Sequence, residues 1–186
     1  MQTLLVNCHH DRAWIEPYIK ILRPYSEVKL ISVERLRPSD ADNADAIVVS
    51  GSKRYAALDD IDSQLIQCLR QNKRTPMLGI CYGHQVMAKV LGCNLRHGEL
   101  IKGTVEVHVL KEDDIFRGVG STISVEESHN DHVVLDDAFG GHRLANSTSC
   151  DVEAFRHNNW FGLQFHPERS GMVGQKIVGN FYSMIM

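Results

Sequence analysis

A short apolar run, Met77-Leu78-Gly79-Ile80, leads into Cys81-Tyr82-Gly83 and passes at once into a stretch of helical period. A buried strand that turns straight into a helix needs glycines beside the turn, because a Cβ there would meet neighbouring backbone. The residue at the apex is lifted above the sheet edge, so this pentapeptide, Gly79 to Gly83, reads as the sulfur version of a nucleophile elbow. Helix N-termini favour anions, and the Tyr82 amide falls where an oxyanion would form. The competing reading is a core cysteine beside a glycine turn, since free Cys is among the most buried residue types.

The surrounding pattern places that turn in an α/β chain. Leu4-Leu5-Val6, Val28 to Ile31 and Ala46 to Val49 are apolar runs of strand length, and Trp14, Ile15, Tyr18, Ile19 and Leu22 follow helical spacing. Leu58, Ile61, Leu65, Ile66 and Leu69 predict a second helical face, and Val86, Met87, Val90 and Leu91 a third. Near-continuous apolar strands between helices imply a three-layer fold, a mostly parallel central sheet with helices on both faces. Further on, Thr104 to Leu110, Ile123 to Glu126, Val152 to Arg156 and Phe161 to Phe165 predict closely spaced antiparallel strands, a small addition to that sheet. A last helix carries Val173, Ile177, Val178, Phe181 and Ile185 on one stripe, with Ser170 as its N-cap.

At 186 residues, with no repeat or linker, the chain is expected to form a single domain over 1–186. Lys and Arg total 20 against 23 Asp and Glu, a balance that gives no support to a nucleic-acid or membrane-surface role. Neither a membrane-spanning run nor a signal-peptide pattern is present in the sequence, so a cytoplasmic location is expected. Five scattered cysteines without a C-x-x-C pair suggest neither a disulfide framework nor a zinc knuckle.

A thiol nucleophile needs a base, and Phe165-His166-Pro167-Glu168 follows a predicted strand. In an extended stretch residues i and i+2 share a face, so His166 and Glu168 can point the same way, with Pro167 fixing the backbone between them. The imidazole would take the thiol proton and return it to a leaving group, while the carboxylate holds the ring.

Cys81-Tyr82-Gly83-His84-Gln85 resembles the C-x-G-x-Q motif, and His166-Pro167-Glu168 the H-P-E motif, of class I (triad-type) glutamine amidotransferases, which have a flavodoxin-like fold; the similarity extends over nearly the whole chain. That resemblance implies a γ-glutamyl thioester on Cys81, with His166 and Glu168 completing a triad. It also implies a substrate-holding role for Gln85 and a second oxyanion amide from the turn after an upstream strand, here Gly51 or Ser52, opposite Tyr82. Ser128-His129-Asn130-Asp131 resembles the S-H-x-D segment, and Cys150-Asp151-Val152-Glu153-Ala154 the C-P-x-E-A segment, of GMP synthetase glutaminases. By that likeness Asp131 would meet the ammonium of L-glutamine and the Ser128, His129 and Asn130 backbone its carboxylate.

Two departures stand out: Asn7-Cys8-His9-His10-Asp11 replaces the usual Asp-x-Gly-Gly-Gln turn, and Ser50-Gly51-Ser52-Lys53 replaces S-G-G-P. The chain has no P-loop and no S-G-G-x-D-S signature, so the resemblance implies a separate ATP-dependent synthetase subunit of the GMP synthetase type that aminates XMP and binds ATP and Mg²⁺, with no cofactor in this chain. A stand-alone γ-glutamyl hydrolase, a subunit serving another acceptor such as in anthranilate synthase, and a non-catalytic relative are the alternatives. His9-His10-Asp11 and His129, Asp131 and His132 do not have the spacing of a familiar metal site, so no metal is expected.

Overall fold

The computed structural model describes residues 1–9, 11–135 and 139–185. Its first half alternates β1 (Gln2–Asn7), α1 (Glu16–Leu22), β2 (Glu27–Ser32), β3 (Ala46–Val49), α2 (Ser63–Gln71), β4 (Met77–Ile80) and α3 (Tyr82–Val90). The second half runs through β5 (Asn94–Val109), β6 (Thr122–Val134), β7 (His142–Asn146), β8 (Ala154–His157) and β9 (Trp160–Leu163), and closes with α4 (Gly171–Ser183). Among the described residues one sheet has the order β2-β1-β3-β4-β9-β8-β7-β5-β6. From β2 to β9 every neighbour is parallel, and from β9 to β6 every neighbour is antiparallel.

Strand side chains alternate between the faces, which divides the core in two. Leu5, Val48, Leu78 and Phe161 pack under α1 and α4 with Ile15, Leu22, Ile177 and Phe181. Leu4, Val6, Ile47 and Val49 pack under α2 and α3 with Leu65, Leu69, Val86 and Met87. Each fully buried Leu, Ile or Phe of this kind contributes about 1.5–3 kcal/mol. The expected three layers are therefore present, and Cys81 emerges where β4 enters α3, near the middle of the sheet.

Several boundaries differ from the sequence reading. The second helix begins at Ser63, not Leu58: the Asp62 side chain accepts from the amides of Gln64 and Leu65 at 2.8 and 3.3 Å, and Leu58 is left 64% exposed before it. β7 has no counterpart in that reading, and β5 and β6 run to 16 and 13 residues because their polar stretches conceal the two-residue period. Ser128 to Asp131 thus lie on β6 itself, with Glu127, His129 and Asp131 buried. Ser170 precedes α4 without capping it. Its hydroxyl instead donates to the His166 carbonyl at 2.7 Å and accepts from the Glu126 amide at 3.0 Å, which clamps the His166–Ser170 turn to β6. Among the described residues no helix is long and apolar enough to cross a membrane.

Candidate active site

Cys81 adopts φ 52° and ψ −104°, a left-handed conformation that costs a non-glycine residue of the order of 1–3 kcal/mol and recurs at functional turns. The glycines beside it are required by contact. A Cβ on Gly79 would come within 2.6 Å of the Gly83 backbone, and one on Gly83 would strike the Val49 carbonyl. The strained turn is held by the Cys81 amide, which donates to Leu163 O at 2.8 Å, and by the Gln85 amide, which donates to Cys81 O at 3.1 Å.

His166 and Glu168 do come together, but not by sharing a strand face. β9 ends at Leu163 and Pro167–Arg169 forms a 3-10 turn, which folds the carboxylate back so that His166 Nδ1 donates to Glu168 Oε1 at 2.7 Å. Burial works to lower the imidazole's pKa, yet contact with Cys81 and Glu168 overrides it and lifts His166 to about 10. The trio is suited to nucleophilic catalysis shielded from water: Cys81 is 4% and His166 7% exposed.

Beside Cys81 lies a cavity of about 310 Å³, lined by Ser52, Tyr82, Gln85 and the Ser128, His129, Asn130 and Asp131 stretch, together with Arg54, Tyr55 and Leu100. Gly51 is not part of that lining, and its amide is already given to the Tyr18 hydroxyl at 3.1 Å. Of the two oxyanion candidates in this loop, Ser52 therefore faces the cavity with Tyr82.

The substrate-pocket residues are more heavily engaged than expected. Asp131 Oδ1 meets His97 Nδ1 at 2.6 Å and Oδ2 accepts the Ala57 amide at 2.8 Å, so this 1% exposed carboxylate also braces the pocket wall that it lines. Gln85 Nε2 donates to Asp131 O and to Gln164 Oε1 at 3.0 and 3.1 Å, leaving Oε1 for a ligand. The His129 ring turns away, bonding Asp131 O through Nδ1 and Glu127 Oε2 through Nε2, each at 3.0 Å. Asn130 Nδ2 donates to Gly98 O at 3.1 Å, and Ser128 O accepts the Cys81 thiol at 3.7 Å.

Behind that wall Glu127 and Glu153 are both fully buried, and neither Glu153 oxygen has a hydrogen-bond partner among the described residues. Burial, then the Glu127 charge, pushes Glu153 up to about 9, so it keeps its proton at neutral pH. In the unfolded chain the ordinary value of 4.5 applies; the native state therefore holds the extra proton between these limits, and stability falls as pH rises from about 4.5 to about 9. Glu153→Gln, which cannot ionise, should raise the melting temperature more at about pH 8.5 than at about pH 5.5. Melting curves across that range check it, and an equal change at both ends contradicts the assignment.

The metal candidates do not converge: among the described residues no group of His, Cys, Asp and Glu could hold an ion, and His10 lies outside them. His84, His129 and His132 are buried. All five cysteines are buried. The two sequence departures meet in space. His9 stacks on Trp14 at 6.1 Å, Lys53 Nζ lies 5.0 Å over the same ring, and all three line a cavity of about 580 Å³ open to His166 and Glu168.

An elbow thiol, a carboxylate-held histidine and a doubly wound sheet define an amidotransferase, and the chain belongs to the class-I glutamine amidotransferase family, whose model matches residues 11–184. Among its relatives is the glutamine-hydrolyzing subunit of GMP synthase from Methanosphaera stadtmanae, 44% identical over 52% of this chain and 53% of that protein. The protein of the same name from Sulfolobus acidocaldarius is 38% identical over 74% of this chain and 71% of its own length. The chain thus spans about half the length of the first of these relatives. Among solved structures, a candidate GMP synthase subunit from Thermoplasma acidophilum superimposes with a TM-score of 0.85 at 26% identity, covering 100% of this chain and 94% of that one.

Proposed function

We propose that the chain is the glutaminase subunit of a two-subunit GMP synthetase, hydrolysing L-glutamine and passing ammonia to a separate subunit that aminates XMP. The observation that carries this reading is the Cys81, His166 and Glu168 arrangement, with Cys81 opening on the cavity lined by Ser52, Gln85 and the Ser128–Asp131 stretch. The acceptor is supported by the names of the archaeal relatives.

In this reaction the Cys81 thiolate attacks the γ-carbonyl carbon, and the oxyanion is received by the amides of Tyr82 and Ser52. As the C–N bond breaks, the His166 imidazolium protonates the departing nitrogen and ammonia leaves a γ-glutamyl thioester. His166 then takes a proton from water, the resulting hydroxide attacks, the C–S bond breaks, and glutamate departs as the thiolate re-forms. Glu168 holds the His166 ring throughout. ATP and Mg²⁺ belong to the synthetase subunit. Ammonia is released on the side of His166 that opens to the Trp14 and Lys53 cavity, a geometry that favours delivery to a docked partner.

Ammonia release is to be measured for the purified chain alone, then with the ATP-dependent subunit of a two-subunit GMP synthetase, XMP and ATP-Mg²⁺. Low activity raised by the loaded partner, with GMP formed, is expected. Equal hydrolysis with and without the partner overturns the GMP synthetase reading in favour of a stand-alone γ-glutamyl hydrolase.

A further inference from the structure

We infer that Tyr18 is a positioning residue that ties the oxyanion loop to the His166–Glu168 pair; the inference rests on the glutaminase reading above. Tyr18 belongs to α1, far in sequence from the motif residues, and is 2% exposed with its hydroxyl among them. That oxygen accepts the Gly51 amide at 3.1 Å and lies 3.4 Å from His166 Nδ1.

The donors and acceptors leave little freedom. Nδ1 gives its proton to Glu168 Oε1 at 2.7 Å and so cannot accept from the phenol. Glu168 Oε2 is buried without a hydrogen-bond partner among the described residues. The phenol oxygen meets the pair at Nδ1 of the ring, a longer contact beside the one to Glu168 Oε1. Burial, followed by the charges of Glu168 and Cys81, keeps the phenol protonated, so it remains a donor.

One hydroxyl thus fixes two parts of the machinery. By taking the Gly51 N–H it fixes the Ser50–Gly51 peptide, one unit before the peptide that carries the Ser52 amide, and so restrains the loop that presents that amide. By its contact with Nδ1 it bounds the ring that serves Cys81. The approach is close enough to exclude a side chain at Gly51: a Cβ there would come 2.8 Å from the Tyr18 oxygen and 3.2 Å from His166 Cε1.

The test uses the full chain with Tyr18→Phe, Gly51→Ala and the double variant. Glutamine turnover is measured alongside inhibition by glutamate γ-semialdehyde. Its aldehyde carbon accepts the Cys81 thiolate, forming a C–S bond and placing the former carbonyl oxygen in the oxyanion site. In Tyr18→Phe, kcat and semialdehyde affinity are expected to fall together by roughly 10- to 100-fold, with KM for glutamine within about twofold and an unchanged melting temperature. Gly51→Ala is expected to lose activity, and the double variant to recover part of it, because the phenylalanine lacks the oxygen that the new methyl strikes. That rescue is a result no general loss of stability produces, and it is read even if Tyr18→Phe alone is less stable.

Unchanged kcat and semialdehyde affinity in Tyr18→Phe, or strictly multiplicative losses in the double variant, overturn the inference while the wild-type chain still hydrolyses glutamine. A wild-type chain that neither releases ammonia nor binds the semialdehyde overturns the glutaminase reading and this inference with it.

Discussion

Cys81→Ala is expected to abolish ammonia release from glutamine, a loss of roughly 10⁶-fold as for other nucleophile deletions, without unfolding the chain. In the proposed reaction the thiol carries the γ-glutamyl group, and no other cysteine lines the cavity. Alanine meets the same backbone demand, since the left-handed conformation at φ 52° strains any side chain with a Cβ. The turn is held by main-chain bonds from the Cys81 amide to Leu163 O and from the Gln85 amide to Cys81 O, which the substitution preserves. An ammonia assay paired with circular dichroism separates the outcomes. Turnover at the wild-type rate would remove the thioester mechanism.

His166→Ala is expected to lower kcat/KM by several orders of magnitude. Acid-base groups contribute about 10²–10⁴-fold, and here the same ring also supports the thiolate. Burial alone would lower the imidazole's pKa, but Cys81 and Glu168 raise it to about 10, so the imidazolium persists through neutral pH. Two measurements are informative: glutamine turnover, and the rate of Cys81 alkylation by iodoacetamide near pH 7, which reports the thiolate. Both should fall. Retention of turnover within about tenfold would assign the base to another group.

The contrast between these residues and Tyr18 shows what kind of information each level carries. Cys81, Gln85, His166 and Glu168 are legible because local chemistry constrains their neighbours: the elbow demands Gly79 and Gly83, and Pro167 helps fold the turn that joins His166 to Glu168. The pairing of His166 with Glu168 is legible, whereas its geometry is not, since both a strand and a 3-10 turn can bring residues two apart together. Tyr18 gives no such signal. At helical spacing with Ile15, Ile19 and Leu22 it reads as one more apolar residue of α1, and only packing of that helix against the sheet carries its hydroxyl to Gly51 and His166.

The same limit applies to the pocket wall. Ser128 to Asp131 are legible as a motif, but their uses depend on partners from β5, the 52–57 loop and the chain just after β9: His97 and Ala57 occupy the Asp131 carboxylate, and Gln164 shares the Gln85 amide with Asp131 O. Glu127 and Glu153 are far apart in sequence, and the charge of one raises the pKa of the other only once both are buried. Sequence by itself determined the layered α/β fold, the elbow at Cys81 and the pairing of His166 with Glu168, because periodicity, glycine sterics and short-range spacing are properties of the chain. Tertiary structure alone decided which amides and carboxylates remain available, because a hydrogen bond made to a residue far along the chain consumes a donor or acceptor that the sequence shows as free.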